Sequence, residues 1–341
     1  MFFENSVCLN CGSALGYVPD AQRLVTVHQD GDDWVATDDA DPLASAGARF
    51  RWCGNLHLAR CNWLVPVTEA ETLCASCRLT SVRPNDDEPE ALDAFADAET
   101  AKRRLLHQLA GLGLPIIDRT VDADRGVTFE FLSSRGRSVT TGHEGGVITL
   151  DLSESDDAHR EFVRQQLGEQ YRTVLGHLRH EIGHYYWPLI VVEAGRLDEF
   201  RDVFGDERAS YQEALEQHYA GGAGEVDWSA THVSMYATMH PWEDWAETFA
   251  HYLHISAGLE TADSWGLAVG EPSASAGTQA WTAPGPVEIG PMIDRWLGLT
   301  IALNSMSRSI GEGDLYPFVL NPAVVAKLDV VHRAITASAA G

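Results

Sequence analysis

Lysine is almost absent from this chain, and basic charge is scarce throughout. Lys102 and Lys327 are the only lysines in 341 residues, so arginine supplies nearly all of the 24 basic side chains. The chain has 50 acidic residues, which gives a formal net charge of −26 at pH 7. Nucleic acids and anionic membranes are bound through clustered lysine and arginine. The composition therefore predicts neither a nucleic-acid partner nor a membrane partner.

Long hydrophobic runs are also missing. No apolar stretch approaches the roughly 18–20 residues that a membrane-spanning helix needs. The first ten residues, MFFENSVCLN, lack the basic and apolar regions of a secretory signal. We therefore expect a cytoplasmic protein, in which thiols stay reduced. A hydrophobic fraction of 45% is enough for a folded core, which excludes a disordered chain.

Cysteine is absent from residues 78–341, whereas six cysteines lie within residues 8–77. The polar stretch SVRPNDDEPEA, residues 81–91, follows the cysteine-rich part and has the composition of a linker. This asymmetry predicts two domains. We expect a small zinc-ribbon domain over residues 1–85 and a larger domain over residues 86–341.

Two C-x-x-C pairs frame the cysteine-rich part. Cys8 and Cys11 form the first pair, and Cys74 and Cys77 form the second. Four thiolates arranged in this way suit one tetrahedral Zn²⁺ ion, and paired C-x-x-C motifs in a reducing compartment indicate metal binding. We therefore predict a structural zinc site built from Cys8, Cys11, Cys74 and Cys77.

Cys53 and Cys61 lie between these pairs, with His57 midway between them. They are candidates for a second partial site, a buried thiol pair or alternative zinc ligands. The acidic balance of the ribbon disfavours nucleic-acid binding. A contribution to folding, or contact with a protein partner, is the more plausible role for the ribbon.

The order of predicted elements indicates an α+β protein with a small sheet and mainly helices. Two segments, 126–134 and 145–155, alternate as strands do, and glycines flank them. Helical patterns and one Gly/Ser-rich loop occupy most of the remainder. The predicted helices are 88–112, 157–167, 170–187, 240–255, 291–306 and 322–337, and the loop is 262–290.

The stretch HLRHEIGHYYW contains His180, Glu181 and His184 in the order H-E-x-x-H. Histidines four positions apart share one face of a helix, so both can bind one zinc ion. Glu181 points away from the ligands and is placed to act as general base on a zinc-activated water. The motif can also arise by chance in a histidine-rich chain, so a third ligand is needed. His177, one turn earlier, is predicted to be a bystander.

HPWEDWAETFAHYLHI, residues 240–255, supplies that ligand. Glu243 and Glu247 lie four positions apart on one helix face, among tryptophans that an exposed acidic face would not carry. Glu243 completes a His₂Glu set of the kind found at catalytic zinc. Glu247 is placed to hydrogen-bond a ligand histidine and fix its tautomer. His251 and His254 are alternative ligands that we consider weaker.

Tyr236 lies seven residues before Glu243. A tyrosine hydroxyl beside zinc can donate to the oxyanion of a tetrahedral intermediate. The alternative is an ordinary tyrosine of the hydrophobic core.

Several segments carry a family resemblance. The chain resembles a bacterial zinc-binding metallopeptidase family with an N-terminal zinc ribbon, which is a branch of the zincin-like fold with glutamate as third ligand. The resemblance spans nearly the whole chain and rests on CLNCGSALGY, CNWLVP, LCASCRLT, AKRRLLHQLAGLGLP, YRTVLGHLRHEIGHYYW, FGDERASY, HPWEDWAETFAHYLHI and DLYPFVLNP. The E-D-W-A-E-T-F segment is also similar to the E-x-x-A-E-x-F helix of zincins such as anthrax lethal factor.

The resemblance implies zinc ligation by Glu243, a supporting role for Glu247 and a catalytic role for Tyr236. It also implies a peptidase that acts on a peptide or protein substrate, with one catalytic and one structural Zn²⁺. Two alternatives stay open: a non-catalytic regulatory or protein-binding protein on a zincin scaffold, and a zinc hydrolase of non-peptide substrates. Retention of Glu181 favours catalysis, because a scaffold without activity does not need its general base.

Overall fold

The computed structural model describes residues 3–38, 41–135, 139–155, 173–219, 228–270 and 288–339. The chain forms two compact units. Of the described residues, the first contains those up to residue 155 and residues 173–178, and the second contains those from residue 179 onward.

A five-stranded antiparallel sheet with strand order β1-β2-β3-β4-β5 opens the first unit. In β2, Val25 and Val27 are buried, which is the period of two expected for a strand with one face on a core. They pack with Val18, Phe50 and Leu64. The strands are β1 (Ala14–Val18), β2 (Arg23–Asp30), β3 (Asp33–Ala36), β4 (Arg49–Trp52) and β5 (Leu64–Pro66). Two single-turn helices, α1 (Pro42–Ser45) and α2 (Ala75–Arg78), also belong to this region.

A second sheet in the same unit has four strands in the order β6-β7-β9-β8. β6 pairs with β7 and β7 with β9 in parallel, whereas β8 pairs with β9 in antiparallel fashion. The long helix α3 contributes Phe95, whose ring centroid lies 5.9 Å from that of Phe131 on β7. The bounds are α3 (Pro89–Gly111), β6 (Thr80–Val82), β7 (Thr128–Leu132), β8 (Gly142–Glu144) and β9 (Val147–Asp151).

The second unit is helical in the part that the structure describes. Its central helix, α7, begins at Pro241, and the preceding His240 side chain accepts a hydrogen bond from the Trp242 N–H, so the helix end is capped. Trp245, Phe249 and Leu253 follow at helical spacing and are fully buried. The helices are α4 (Val174–Trp187), α5 (Leu197–Phe204), α6 (Tyr211–Tyr219), α7 (Pro241–Ser264), α8 (Gly290–Ser309) and α9 (Pro322–Ala339).

The predicted mixture of helices and sheets is confirmed, as are the helix at 88–112 and the two strand segments. The sheet of β1–β5 was not expected from the sequence pattern. The predicted helix 157–167 and residues 271–287 of the predicted loop lie outside the described residues. The predicted boundary between residues 85 and 86 stays a prediction. No helix among the described residues has both the length and the apolar content needed to cross a bilayer.

Candidate metal centres

Gly183 lets helices α4 and α7 approach each other closely. A Cβ atom at this position would lie 3.1 Å from Phe249 Cβ and 3.2 Å from Ala246 Cα, both inside ordinary contact distance. The Gly183 carbonyl also accepts a buried hydrogen bond of 2.9 Å from Trp245 Nε1. Because the H-E-x-x-H motif is on α4, this close approach brings its histidines to the acidic residues of α7.

Three predicted ligand residues meet where these helices pack. His180, His184 and Glu243 each place one ligand atom within 4.8 Å of the other two. His180 Nε2 lies 3.0 Å from Glu243 Oε2 and 3.1 Å from His184 Nε2, and His184 Nε2 lies 3.4 Å from the same Glu243 oxygen. Ligands bound tetrahedrally to zinc at about 2.0–2.1 Å are about 3.3 Å apart. The spacing therefore fits one zinc ion.

The charges at this point also fit a cation. His180 Nδ1 lies 2.7 Å from Glu247 Oε1, so the proton of a neutral imidazole belongs on Nδ1. Its Nε2 then presents a lone pair toward Glu243, where electron-pair donors converge. Burial by itself would lower the pKa of His180, but hydrogen bonds and charge from Glu243 and Glu247 raise it well above its ordinary value. The two carboxylates thus favour positive charge at this place.

Glu247 lies against His180, where its spacing predicted it. Its second oxygen accepts a 2.7 Å hydrogen bond from Ser234 Oγ, so both carboxylate oxygens are engaged. Burial would raise the pKa of Glu247, but the His180 contact outweighs burial and lowers the pKa to about 2. Glu247 therefore stays ionised beside the His180 ring, and a carboxylate in this position is the usual partner of a metal-binding histidine.

Two tyrosines lie at the same place, and only one was expected. The Tyr236 ring centroid is 6.0 Å from that of His180. Tyr211, at the start of α6, donates a 2.8 Å hydrogen bond to Glu243 Oε1. Burial raises the pKa of Tyr211 above its ordinary range, and the charges of Glu243 and Glu181 add to this. Tyr211 is the last residue of FGDERASY, one of the segments on which the family resemblance rests. That resemblance was the sequence signal that could have identified Tyr211.

The remaining histidines of these segments lie elsewhere. His177 contacts Glu154 and does not belong to the ligand group. His251 Nδ1 is 3.0 Å from the Tyr316 hydroxyl, and the His254 ring centroid is 5.3 Å from the Tyr316 ring centroid. Of these histidines, His180 and His184 are the two that the structure brings to Glu243.

A second candidate metal centre lies in the first unit. Cys53, Cys61, Cys74 and Cys77 are all buried, and each places its sulfur within 4.8 Å of the others. Cys61 Sγ and Cys74 Sγ are 3.6 Å apart, close to the roughly 3.8 Å expected for two thiolates on one tetrahedral zinc. Burial raises the pKa of Cys74, so four thiolates need a cation in place of their protons.

The structure does not bring the two predicted C-x-x-C pairs together, because Cys8 and Cys11 are not in this group. They lie in a turn before β1, closed by a Gly12 N–H to Cys8 C=O hydrogen bond of 2.8 Å. Cys11 is exposed. Cys53, in contrast, directly follows β4, and its N–H donates a hydrogen bond to the Trp63 carbonyl beside β5. This bond brings the segment after β4 to the turn that contains Cys74. Pairing of β4 with β5 therefore decides the ligand set.

Lys102 lies beside the cysteine group. Its ammonium is 2.7 Å from Glu99 Oε1, and neither side chain is exposed. The other Glu99 oxygen is 3.8 Å from the Cys77 sulfur and 3.8 Å from an Arg103 nitrogen. Buried charges need partners of opposite sign. The lysine and arginine therefore compensate Glu99 and the thiolate charge beside it.

The chain combines an N-terminal zinc ribbon with a metallopeptidase-like domain. The model of the family described as "Putative zinc-binding metallo-peptidase" matches residues 91–334, and a zinc-ribbon domain model matches residues 1–88. The chain belongs to this metallopeptidase family.

Among individual proteins, the chain is similar to three mycobacterial proteins, all named as uncharacterized. They are Rv2568c of Mycobacterium tuberculosis H37Rv, MT2644 of M. tuberculosis CDC 1551 and Mb2598c of M. bovis AF2122/97. Each is 50% identical over 334 residues, which is 98% of this chain and 91% of the relative. No solved structure matches the chain.

Proposed function

We propose that this protein is a zinc-dependent peptidase that hydrolyses peptide bonds. The observation that carries the proposal is the convergence of His180, His184 and Glu243 at distances that suit one zinc ion, with Glu181 on the same helix. Zinc in such a set would act as a Lewis acid on the peptide carbonyl and lower the pKa of water to about 7.

The surrounding side chains take distinct roles. Glu181 accepts the proton of the attacking water and later donates it to the leaving amine. Tyr236 donates a hydrogen bond to the oxyanion that forms on the carbonyl. Glu247 keeps the His180 proton on Nδ1 so that Nε2 stays available as a ligand.

The cysteine group has a structural role in this proposal. A second zinc held by Cys53, Cys61, Cys74 and Cys77 is enclosed by buried thiolates, which is typical of structural sites. The protein therefore carries two zinc ions, one for catalysis and one for the fold. We further propose a cytoplasmic enzyme with a ribbon domain over residues 1–85 and a peptidase domain over residues 86–341. The ribbon is available for contact with a protein partner.

Glu181→Gln tests the catalytic role, since it keeps the size of the side chain and removes the base. Cleavage of a peptide library should fall about 10²–10⁴-fold while two zinc ions are retained. Glu312→Gln, at an exposed position, is the matched control and should behave as wild type.

Cleavage that persists in Glu181→Gln would refute the proposed mechanism even if zinc is bound. A single zinc that is lost in Cys74→Ser would mean that the histidine site does not bind zinc. Wild-type protein with two zinc ions and no cleavage of any peptide would favour the non-catalytic scaffold or a non-peptide substrate.

A further inference from the structure

The two oxygens of Glu243 have different partners. Oε2 faces the histidines, at 3.0 Å from His180 Nε2 and 3.4 Å from His184 Nε2. Oε1 accepts the hydrogen bond from the Tyr211 hydroxyl at 2.8 Å. A carboxylate that binds a metal through one oxygen commonly has its other oxygen hydrogen-bonded, and this fixes its orientation. Tyr211 is placed to do this for Glu243.

Tyr211 is itself held by the start of α7, the helix that carries Glu243. His240 has its Nδ1 3.1 Å from the Trp242 N–H and its Nε2 3.1 Å from the Ala209 carbonyl. A neutral imidazole with its proton on Nε2 makes both bonds at once, accepting the first and donating the second. One buried histidine therefore ties the loop before Tyr211 to the turn before Glu243, and the Tyr211 ring lies 5.4 Å from the His240 ring between centroids.

The direction of the hydrogen bonds separates the roles of the two tyrosines. A phenol has one proton, and Tyr211 gives its proton to the Glu243 carboxylate, which has none to give. Tyr211 thus has no second proton for an oxyanion, whereas Tyr236 lies beside His180, with 6.0 Å between the two ring centroids.

We propose that Tyr211 is a positioning residue that holds Glu243 as a ligand through Oε2 alone. This inference rests on the proposed zinc site and deepens it. Without the hydroxyl, the Glu243 carboxylate can rotate. Zinc affinity therefore falls while the protein stays folded. The expected loss is about 10–100-fold, the usual effect of removing a partner that orients a metal ligand.

The test compares Tyr211→Phe with Tyr236→Phe in the full-length chain, with zinc affinity measured by chelator competition. Tyr211→Phe should weaken the histidine-site zinc about 10–100-fold, and cobalt-substituted protein should show a shifted visible spectrum. Tyr236→Phe should keep the metal affinity within about threefold and lower the turnover number, as expected for an oxyanion donor. Unchanged affinity in Tyr211→Phe would overturn the assignment.

A double-mutant cycle distinguishes positioning from general damage to the fold. In a Glu243→Ala background Tyr211 has no carboxylate to hold, so Tyr211→Phe should cause no further loss of zinc affinity. An equal loss in both backgrounds would show that Tyr211 acts on the fold, which contradicts the proposal. The zinc-affinity measurements need no catalytic activity, so a failure of the peptidase proposal would not be confused with a failure of this one.

Discussion

Gly183→Ala should separate zinc binding from folding, because the glycine sets the distance between two ligand-bearing helices. Its added Cβ would lie 3.1 Å from Phe249 Cβ, 3.2 Å from Ala246 Cα and 3.4 Å from the Ala246 carbonyl oxygen. Relaxed carbon contacts are about 3.5–4.0 Å. None of these atoms is the end of a flexible side chain, so the helices themselves have to move apart by about 0.5 Å.

The cost in stability should be small. Overpacking of this kind costs about 1–3 kcal/mol, while replacing glycine by alanine inside a helix gains about 1 kcal/mol. Net destabilisation of about 0–2 kcal/mol leaves the protein folded. Metal ligands, however, tolerate displacements of only about 0.2 Å. A 0.5 Å shift of His180 and His184 away from Glu243 should therefore weaken zinc at this site by tenfold or more.

Zinc content after dialysis against a weak chelator, together with thermal unfolding, measures both effects. Gly183→Ala should retain one zinc per chain, at the cysteine group, and lose the other. Gly298→Ala on α8 is the matched control, since its added Cβ would meet no described heavy atom within 4 Å beyond the adjacent residues and backbone of its own helix. It should keep two zinc ions and gain up to about 1 kcal/mol of stability. Retention of both zinc ions in Gly183→Ala would refute the reasoning.

Two further predictions concern the cysteines and the pH dependence of stability. Cys74→Ser should lose one zinc ion and destabilise the first unit, whereas Cys11→Ser should keep both zinc ions. Metal analysis of the two variants tests this, and loss of a zinc ion in Cys11→Ser would contradict the proposed ligand set. Burial lowers the pKa of His251 to about 4 and that of His254 to about 3, helped by Arg179. Because the unfolded chain then binds more protons than the folded one, stability should fall as pH drops from about 6.5 to 4, by about 1.4 kcal/mol per pH unit for each histidine. His254→Gln should reduce the slope of urea-unfolding free energy against pH by about that amount, and an unaltered slope would show that this histidine is not held neutral.

Local spacing in the sequence determined the elements that carry the proposed zinc site. His180 and His184 share a helix face because they are four positions apart, and the same spacing aligns Glu243 with Glu247. The bounds of α3 followed from apolar periodicity, which is also a local signal. Pro188 ends α4 only as an α-helix, because the chain continues as a π-helix over Pro188–Val192. A local pattern fixes which side chains share a face, and this was enough to name the candidate ligands.

Contacts between distant segments were decided only by the tertiary structure. The cysteines show this clearly, because every thiolate is an equally good ligand and C-x-x-C spacing does not say which pairs meet. Pairing of β4 with β5 places Cys53 and Cys61 beside Cys74, and the exposed turn of Cys8 and Cys11 takes no part.

Tyr211 shows the same limit. It lies 32 positions before Glu243 and reaches it only because His240 ties the two segments together. Gly183 is likewise important because α7 packs closely against it, and the sequence of α4 alone does not show this contact. The sequence by itself therefore determined which groups can bind zinc, and the packing of helices and strands decided which of them meet and what holds them in place.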